Sequence, residues 1–292
     1  MSNAAVAAIS VALYILLAPG VGGLLQGVDR KATARMQGRQ GPPLLQSFYD
    51  VGKLLGKETK YMNHIQIVCH VSFLIFVIFT GALFFGGGDL LLIFFALTTA
   101  NLCLILAATT CNSPYAAMGA NREMLQTMAY EPMVLLTAVG FYLATGSFKV
   151  SDIVRSSGLP PIVYLPGVFC GFLFILTIKL RKHPFDLSTS HHAHQEMVKG
   201  LTTEFNGVTL LIVEVSHWYE NVFLMGIIAL FFINGKPWSY ALAAVAVVLS
   251  YFLEILIDNT RLKWQRMFKT TWAVTMIIGV INIFVLQVLK GV

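Results

Sequence analysis

The sequence predicts an all-α polytopic membrane protein. Three observations carry that reading. Hydrophobic residues make up 57% of the 292 residues and charged ones only 12%, where a soluble domain carries about 25% charge. Eight apolar runs are close to or above the roughly 20 residues that a helix needs to cross the hydrocarbon core. Lysine and arginine also alternate between loops, sixteen on one side and four on the other. Mean hydropathy is +0.73, which excludes a disordered chain and an ordinary soluble globule.

The runs cover about 4–26, 64–86, 90–110, 125–146, 161–179, 208–233, 238–257 and 271–289. The first follows Met1-Ser2-Asn3, with no basic segment ahead of it, so it reads as a retained span rather than a signal peptide. Gly86-Gly87-Gly88-Asp89 joins the second and third as a tight antiparallel pair. The fourth contains Glu131-Pro132. The fifth starts at Pro160-Pro161, which suits a first helical turn. The sixth carries Glu214, His217 and Glu220, and the seventh ends near Glu254 and Asp258.

The basic loops are 27–63, 111–124, 180–207 and 258–270. Positive charge concentrates on the cytoplasmic side of membrane proteins, so these loops are expected in the cytoplasm, with both termini outside. An even number of spans agrees with that. The formal charge of +6 is explained by this orientation. No basic soluble module is present that would dock on nucleic acid. Cys69, Cys103, Cys111 and Cys170 form no CxxC pair and read as small buried hydrophobes.

The first basic loop is the densest in arginine, glycine and proline. From Leu44 to Leu55 its apolar residues fall at helical spacing, with Asp50 and Lys53 between them. That pattern predicts an amphipathic helix, lying in the interface or against a partner. Arg30, Arg35, Arg39, Gln46, Asp50, Lys53, Lys57 and Glu58, with Arg122 in the third loop, are the candidate docking residues.

Carboxylates inside spans are the candidates for an ion pathway, because a charge at mid-bilayer costs about 2.5–3.5 kcal/mol on insertion scales and usually faces a wet cavity. These are Glu131, Glu214, Glu220 and Glu254, with Asp258 one turn beyond Glu254. His217 stands three residues from both Glu214 and Glu220, near one helix face. Coupled titration of two carboxylates and an imidazole suits proton relay. Asp186, Glu196 and Glu204 in the fifth loop are expected to border a wet acidic cavity. His183, His191, His192 and His194 invite a metal reading, but the adjacent pair His191-His192 diverges on a helix, so no metal is expected there. No phosphate-binding loop, dinucleotide fingerprint or nucleophile elbow appears, and no self-contained enzyme site is expected.

Two long segments carry a family resemblance. Gln37 to Pro42, Leu44 to Gln46, Asp50, Lys53, Leu54, Lys57 and Glu58 resemble the arginine-rich, Gly-Pro signature of the complex I membrane subunit that docks the peripheral arm and borders the quinone chamber. Pro184-Phe185-Asp186-Leu187, Glu196-Met197-Val198, Gly200 and Glu204-Phe205 resemble that family's fifth loop. Asn259-Thr260-Arg261 to Trp272 resembles its closing basic segment. The likeness runs from Gln26 to about Trp272.

The departures point to one branch. Arg39-Gln40-Gly41-Pro42-Pro43-Leu44-Leu45-Gln46 lacks the second Gly-Pro of the quinone enzymes, and His183 stands where those enzymes usually have another residue. The compact loop resembles the B-type membrane subunit of energy-converting, group 4 membrane-bound [NiFe]-hydrogenases, homologous to the formate hydrogenlyase membrane subunit. Met118 to Glu123, Tyr130-Glu131-Pro132 and Leu253 to Arg261 resemble that branch too. The resemblance implies an inner-membrane subunit that anchors a soluble arm and couples its redox chemistry to H+ or Na+ translocation. It implies ferredoxin as electron donor to the complex. Its partners would be hydrogenase large and small subunits, an iron–sulfur protein subunit and an antiporter-like membrane subunit. The [NiFe] centre and [4Fe-4S] clusters are expected on those partners and none on this chain. A quinone-linked complex I subunit and an independent transporter are the competing readings.

Overall fold

The computed structural model describes residues 3–60, 63–181, 197, 199–256 and 263–290. Among them every regular element is helical, with one isolated antiparallel bridge between Asp89 and Lys149. Seven helices are long and apolar enough to cross a membrane, and an eighth apolar helix, Pro166–Lys179, is shorter. It lies within the fifth span expected over 161–179.

The chain divides into two compact units. The first comprises residues 1–82, 96–124 and 186–222, and the second 83–95, 125–185 and 223–292. Helices α3 (His64–Phe85), α4 (Leu90–Thr109), α5 (Pro114–Thr145) and α9 (Gly207–Leu230) contribute to both.

In the first unit α1 spans Asn3–Met36, ten residues beyond the apolar run. Hydropathy fades at Gln26, but Lys, Arg, Ala and Met continue a helix readily. The helix stops at Gly38, whose φ of +73° is open to glycine. Arg39 N–H donates to the Ala34 carbonyl at 2.8 Å and Gly38 N–H to Arg35 at 3.0 Å, the Schellman closure that satisfies orphan carbonyls. Helix α2 (Gln46–Leu55) follows, within the amphipathic segment expected from Leu44. Gly22 sits where α1 meets α9: a Cβ there would lie 2.5 Å from the Trp218 carbonyl oxygen. Residues 200–202 form a single 3-10 turn before α9, and Asn206 Oδ1 accepts the Lys60 amide at 2.8 Å.

In the second unit α7 (Pro161–Tyr164) and α8 (Pro166–Lys179) are separated by Leu165. Pro166 removes an amide donor and forces the break. Asn282 repairs it from α12 (Ile281–Lys290): its Oδ1 accepts the Val168 amide at 3.1 Å and its Nδ2 donates to the Tyr164 carbonyl at 3.4 Å. A polar bridge of this kind is how irregular backbone is tolerated at membrane depth. Phe231, fully buried, packs its ring against Phe141, Phe169 and Phe172 at centroid distances of 4.6, 5.2 and 6.1 Å. The connections 86–90 and 148–151 are joined by the Leu90 amide on Phe148 and the Val150 amide on Gly88. Helix α6 (Val150–Arg155) starts there, α10 covers Pro237–Leu256, and α11 (Trp264–Val274) runs through a π turn at Thr275–Val280 into α12.

The expectation for the cysteines needs correction. Cys111 alone is buried. Cys69 and Cys103 are half-buried, and Cys170 is exposed on α8. A thiol on a lipid-facing surface leaves water without entering a protein core, so hydropathy does not distinguish the two.

Candidate functional site

Two clusters in the first unit bring together residues far apart in sequence. The first lies where α2 folds back on the polar extension of α1. Arg30 donates to Asp50 at 2.8 Å, and Gln46 donates to the other Asp50 oxygen at 2.8 Å. Burial acts to raise the Asp50 carboxyl, but the hydrogen bonds from Arg30 and Gln46, with the charges of Arg30 and Lys53, outweigh it and hold the group below its usual 3.8. The two side chains remain 38% and 40% exposed, so solvent screens the pair.

Asp50→Asn is therefore expected to cost only about 0.2–1 kcal/mol. Because the folded carboxyl titrates below the unfolded one, the contribution is complete above pH 3.8 and is lost as pH falls through the lower folded value. Thermal unfolding in detergent, followed for both proteins from neutral to acid pH, checks this: the gap closes at the acid end.

Of the other docking candidates, Arg35, Arg39, Lys53, Lys57 and Glu58 are exposed, and Arg122 is half-buried on α5. Arg39 donates to Gln37. An exposed cationic rim with one acidic hook is chemically suited to a protein surface carrying carboxylates.

The second cluster is built on α9. Glu214 and His217 are half-buried, and Glu220 is only 5% exposed. Gln26 on α1 joins this helix twice: its Nε2 donates to Glu214 at 3.4 Å, and its Oε1 accepts the Trp218 indole N–H at 2.7 Å. The Trp218 ring packs on Phe48 of α2 at 5.2 Å, so one residue connects the amphipathic helix to the acidic one. His217 meets Phe73 edge-on at 5.9 Å. The two helices are also joined through tyrosines: the Tyr14 hydroxyl donates to the Tyr219 carbonyl at 3.2 Å, and the Tyr219 hydroxyl donates to the Ile15 carbonyl at 2.8 Å.

Sequence reasoning named Glu214, His217 and Glu220 but missed Gln26, Trp218, Tyr14 and Tyr219. Gln26 was available as the last residue of an apolar run. Its partners, 188 and 192 positions away, were not.

Glu204 is half-buried before α9. In the second unit Glu131 is half-buried on α5, beside Tyr130, whose ring holds Lys179 Nζ 4.6 Å above its centroid. Glu254, 2% exposed, lies on α10. Asp186, Glu196, Asp258, His183, His191, His192 and His194 lie outside the described residues. Among the described residues no group of three or more His, Cys, Asp or Glu side chains is placed to hold a metal ion.

Comparison with known proteins fits this arrangement. The chain is 27% identical over 281 residues to formate hydrogenlyase subunit 4 of Escherichia coli, covering 86% of this chain and 89% of that one. It is 26% identical over 290 residues to hydrogenase-4 component C of the same organism, covering 89% of each. It is 27% identical over 310 residues to an H-type subunit of the NADH-quinone oxidoreductase of Geobacter metallireducens, covering 94% and 93%. The fold is shared with a chain in the structure of the membrane-bound sulfane sulfur reductase, an archaeal respiratory membrane complex. There the TM-score is 0.83 at 24% identity, over 96% of this chain and 99% of that one. The sequence model of the NADH dehydrogenase family matches residues 8–287. The chain therefore belongs to that family and is a membrane subunit of a complex I-like or hydrogenase-type complex.

Proposed function

We propose that this chain is the anchoring and coupling subunit of a ferredoxin-linked, energy-converting [NiFe]-hydrogenase complex. The observation that carries this reading is the compact first loop. Arg39 to Gln46 passes through Gly41 at φ +71° and, without a second Gly-Pro, enters α2 within a few residues. The similarity to two hydrogenase-type membrane subunits supports it.

In this reading the basic first, third and fifth loops face the cytoplasm and hold the soluble arm. Electrons from ferredoxin reduce protons to H2 on partner subunits, which carry the [NiFe] centre and [4Fe-4S] clusters. The cytoplasmic rim, from Arg30 to Glu58 with Arg122, receives that arm. Glu204, Asp186 and Glu196 border the wet region beneath it. Glu214, His217 and Glu220 exchange protons along α9, while Glu131, Glu254 and Asp258 serve the second unit. An antiporter-like membrane subunit completes the H+ or Na+ path.

Two measurements test the reading. The first is purification in mild detergent through a tag on this chain, with mass spectrometry and metal analysis of what accompanies it. Nickel and iron with a [NiFe] large subunit are expected. Iron and flavin with NADH-oxidising subunits, and no nickel, would transfer the chain to the quinone-linked class. A lone, metal-free chain would remove the docking role of residues 27–60. The second is Glu214→Gln in the reconstituted complex. Loss of a positioned proton carrier is expected to slow ion translocation by about a hundredfold. Translocation at the wild-type rate in both Glu214→Gln and Glu131→Gln would end the relay assignment.

A further inference from the structure

Asn206 stands directly before α9. Asparagine is among the best residues for capping a helix start, its side-chain oxygen taking the amide two or three residues on. It does not do so here. Its Oδ1 accepts the Lys60 amide at 2.8 Å instead, and the Val208 amide donates to Thr59 Oγ1 at 3.1 Å. The helix start and the end of the first basic loop have exchanged caps: each satisfies a backbone amide of the other. Gly207 makes the exchange possible. Its φ of +48° lies in the left-handed region, which favours glycine. A Cβ there would meet Thr59 Oγ1 at 2.7 Å and the Lys57 and Glu58 carbonyl oxygens at 3.1 and 3.2 Å. Thr209 closes the turn, its Oγ1 donating to the Asn206 carbonyl at 2.8 Å.

Helix α9 is thus held on either side of the docking residues. Gln26, just before them, bonds Glu214 and the Trp218 indole. Thr59 and Lys60, just after them, bond the helix start. Glu214 lies about two turns beyond Gly207, or about 10 Å along the axis and close to the same face. The third basic loop reaches the same junction. A Cβ on Gly119 would lie 2.4 Å from both the Gly200 carbonyl carbon and the Leu201 nitrogen, so α5 rests backbone to backbone on the turn ahead of α9. A load on the docking residues between Arg30 and Glu58 therefore reaches α9 at its first turn and at Glu214. One cap is also weak enough to exchange, because Asn206 can cap its own helix once Thr59 withdraws.

We propose that Thr59 and Asn206 are positioning residues for ion translocation: they fasten the docking loop to α9, so that movement of the docked arm shifts the helix that carries Glu214. When the arm draws the loop outward, the Val208 amide passes from Thr59 Oγ1 to Asn206 Oδ1, and the Lys60 amide passes to water. The helix keeps a cap while it is released. Neither side chain exchanges a proton. The inference deepens the coupling function proposed above and rests on it.

The test uses the complex purified through this chain and reconstituted in liposomes, with hydrogen evolution from reduced ferredoxin and initial ion translocation measured together. Thr59→Val keeps the branched side chain and removes the oxygen, whereas Thr59→Ser keeps the oxygen. The number of ions moved per H2 formed is expected to fall by about threefold or more in Thr59→Val and in Asn206→Leu, the population change that loss of one helix cap brings. In Thr59→Ser it is expected to stay close to native. A native ratio in Thr59→Val and Asn206→Leu, alongside a lowered ratio in Glu214→Gln, would overturn the positioning role and leave the coupling function standing. A native ratio in Glu214→Gln as well, or no hydrogen evolution from the native complex, would remove both. Proportionate loss of hydrogen evolution and translocation, or failure of both Thr59→Val and Asn206→Leu to assemble, would make the pair a folding clamp and overturn the proposal.

Discussion

A Gly22→Ala variant is expected to lose about 1–3 kcal/mol or more, the range seen when extra volume is forced into a packed interior. The added methyl would meet the Trp218 carbonyl oxygen at 2.5 Å and its carbonyl carbon at 2.8 Å. These are backbone atoms and cannot rotate away, so α1 and α9 must separate. That separation strains the hydrogen bonds of Gln26 to Trp218 and Glu214 at once. Gly20, two residues earlier on α1, has nothing within 4 Å of the same position, so Gly20→Ala is expected to be neutral or to gain about 0.5–1 kcal/mol from helix propensity. Thermal unfolding in detergent separates the two, and the tryptophan emission maximum should move only in Gly22→Ala. Equal behaviour of the pair would mean that α1 does not approach α9 as described.

Phe231→Ala is expected to be more damaging still, at about 3–5 kcal/mol, the cost of emptying a fully buried aromatic site. Four rings from α5, α8 and the end of α9 meet there, and the Phe231 carbonyl accepts the Ile162 amide at 2.9 Å. The short helix α8 depends on this cluster because its 14 residues reach only about 21 Å. Phe284, 63% exposed on α12, fills no protein interior. Phe284→Ala should shift the melting temperature little, and a comparable loss there would count against the special place of Phe231.

Much of this architecture was legible because lipid imposes one requirement on every span: a continuous apolar stretch. Seven such stretches became long helices. The ends were less legible. Hydropathy marks where water begins, whereas helix ends are set by backbone chemistry, as Gly38 shows for α1 and Pro166 for α8. Glu214, His217 and Glu220 could be named because a charge or an imidazole within an apolar run is costly and conspicuous. Gln26 and Trp218 could not be paired from the sequence, since neither local spacing nor charge connects α1 with α9.

The π turn at Thr275–Val280 has a consequence for the phase of the last span. A π turn holds one residue more than an α turn over the same rise, equivalent to a local insertion that advances everything after it by about 100°. Asn282 lies just beyond it and reaches the broken backbone at Tyr164 and Val168. Straightening the segment to α geometry with all its residues kept would swing Asn282 around the helix axis, away from the gap that it bridges. Deleting one residue from Thr275–Val280 would remove the bulge and keep that angular setting. Sequence length in this span is therefore free to change by one, whereas the bearing of Asn282 is not.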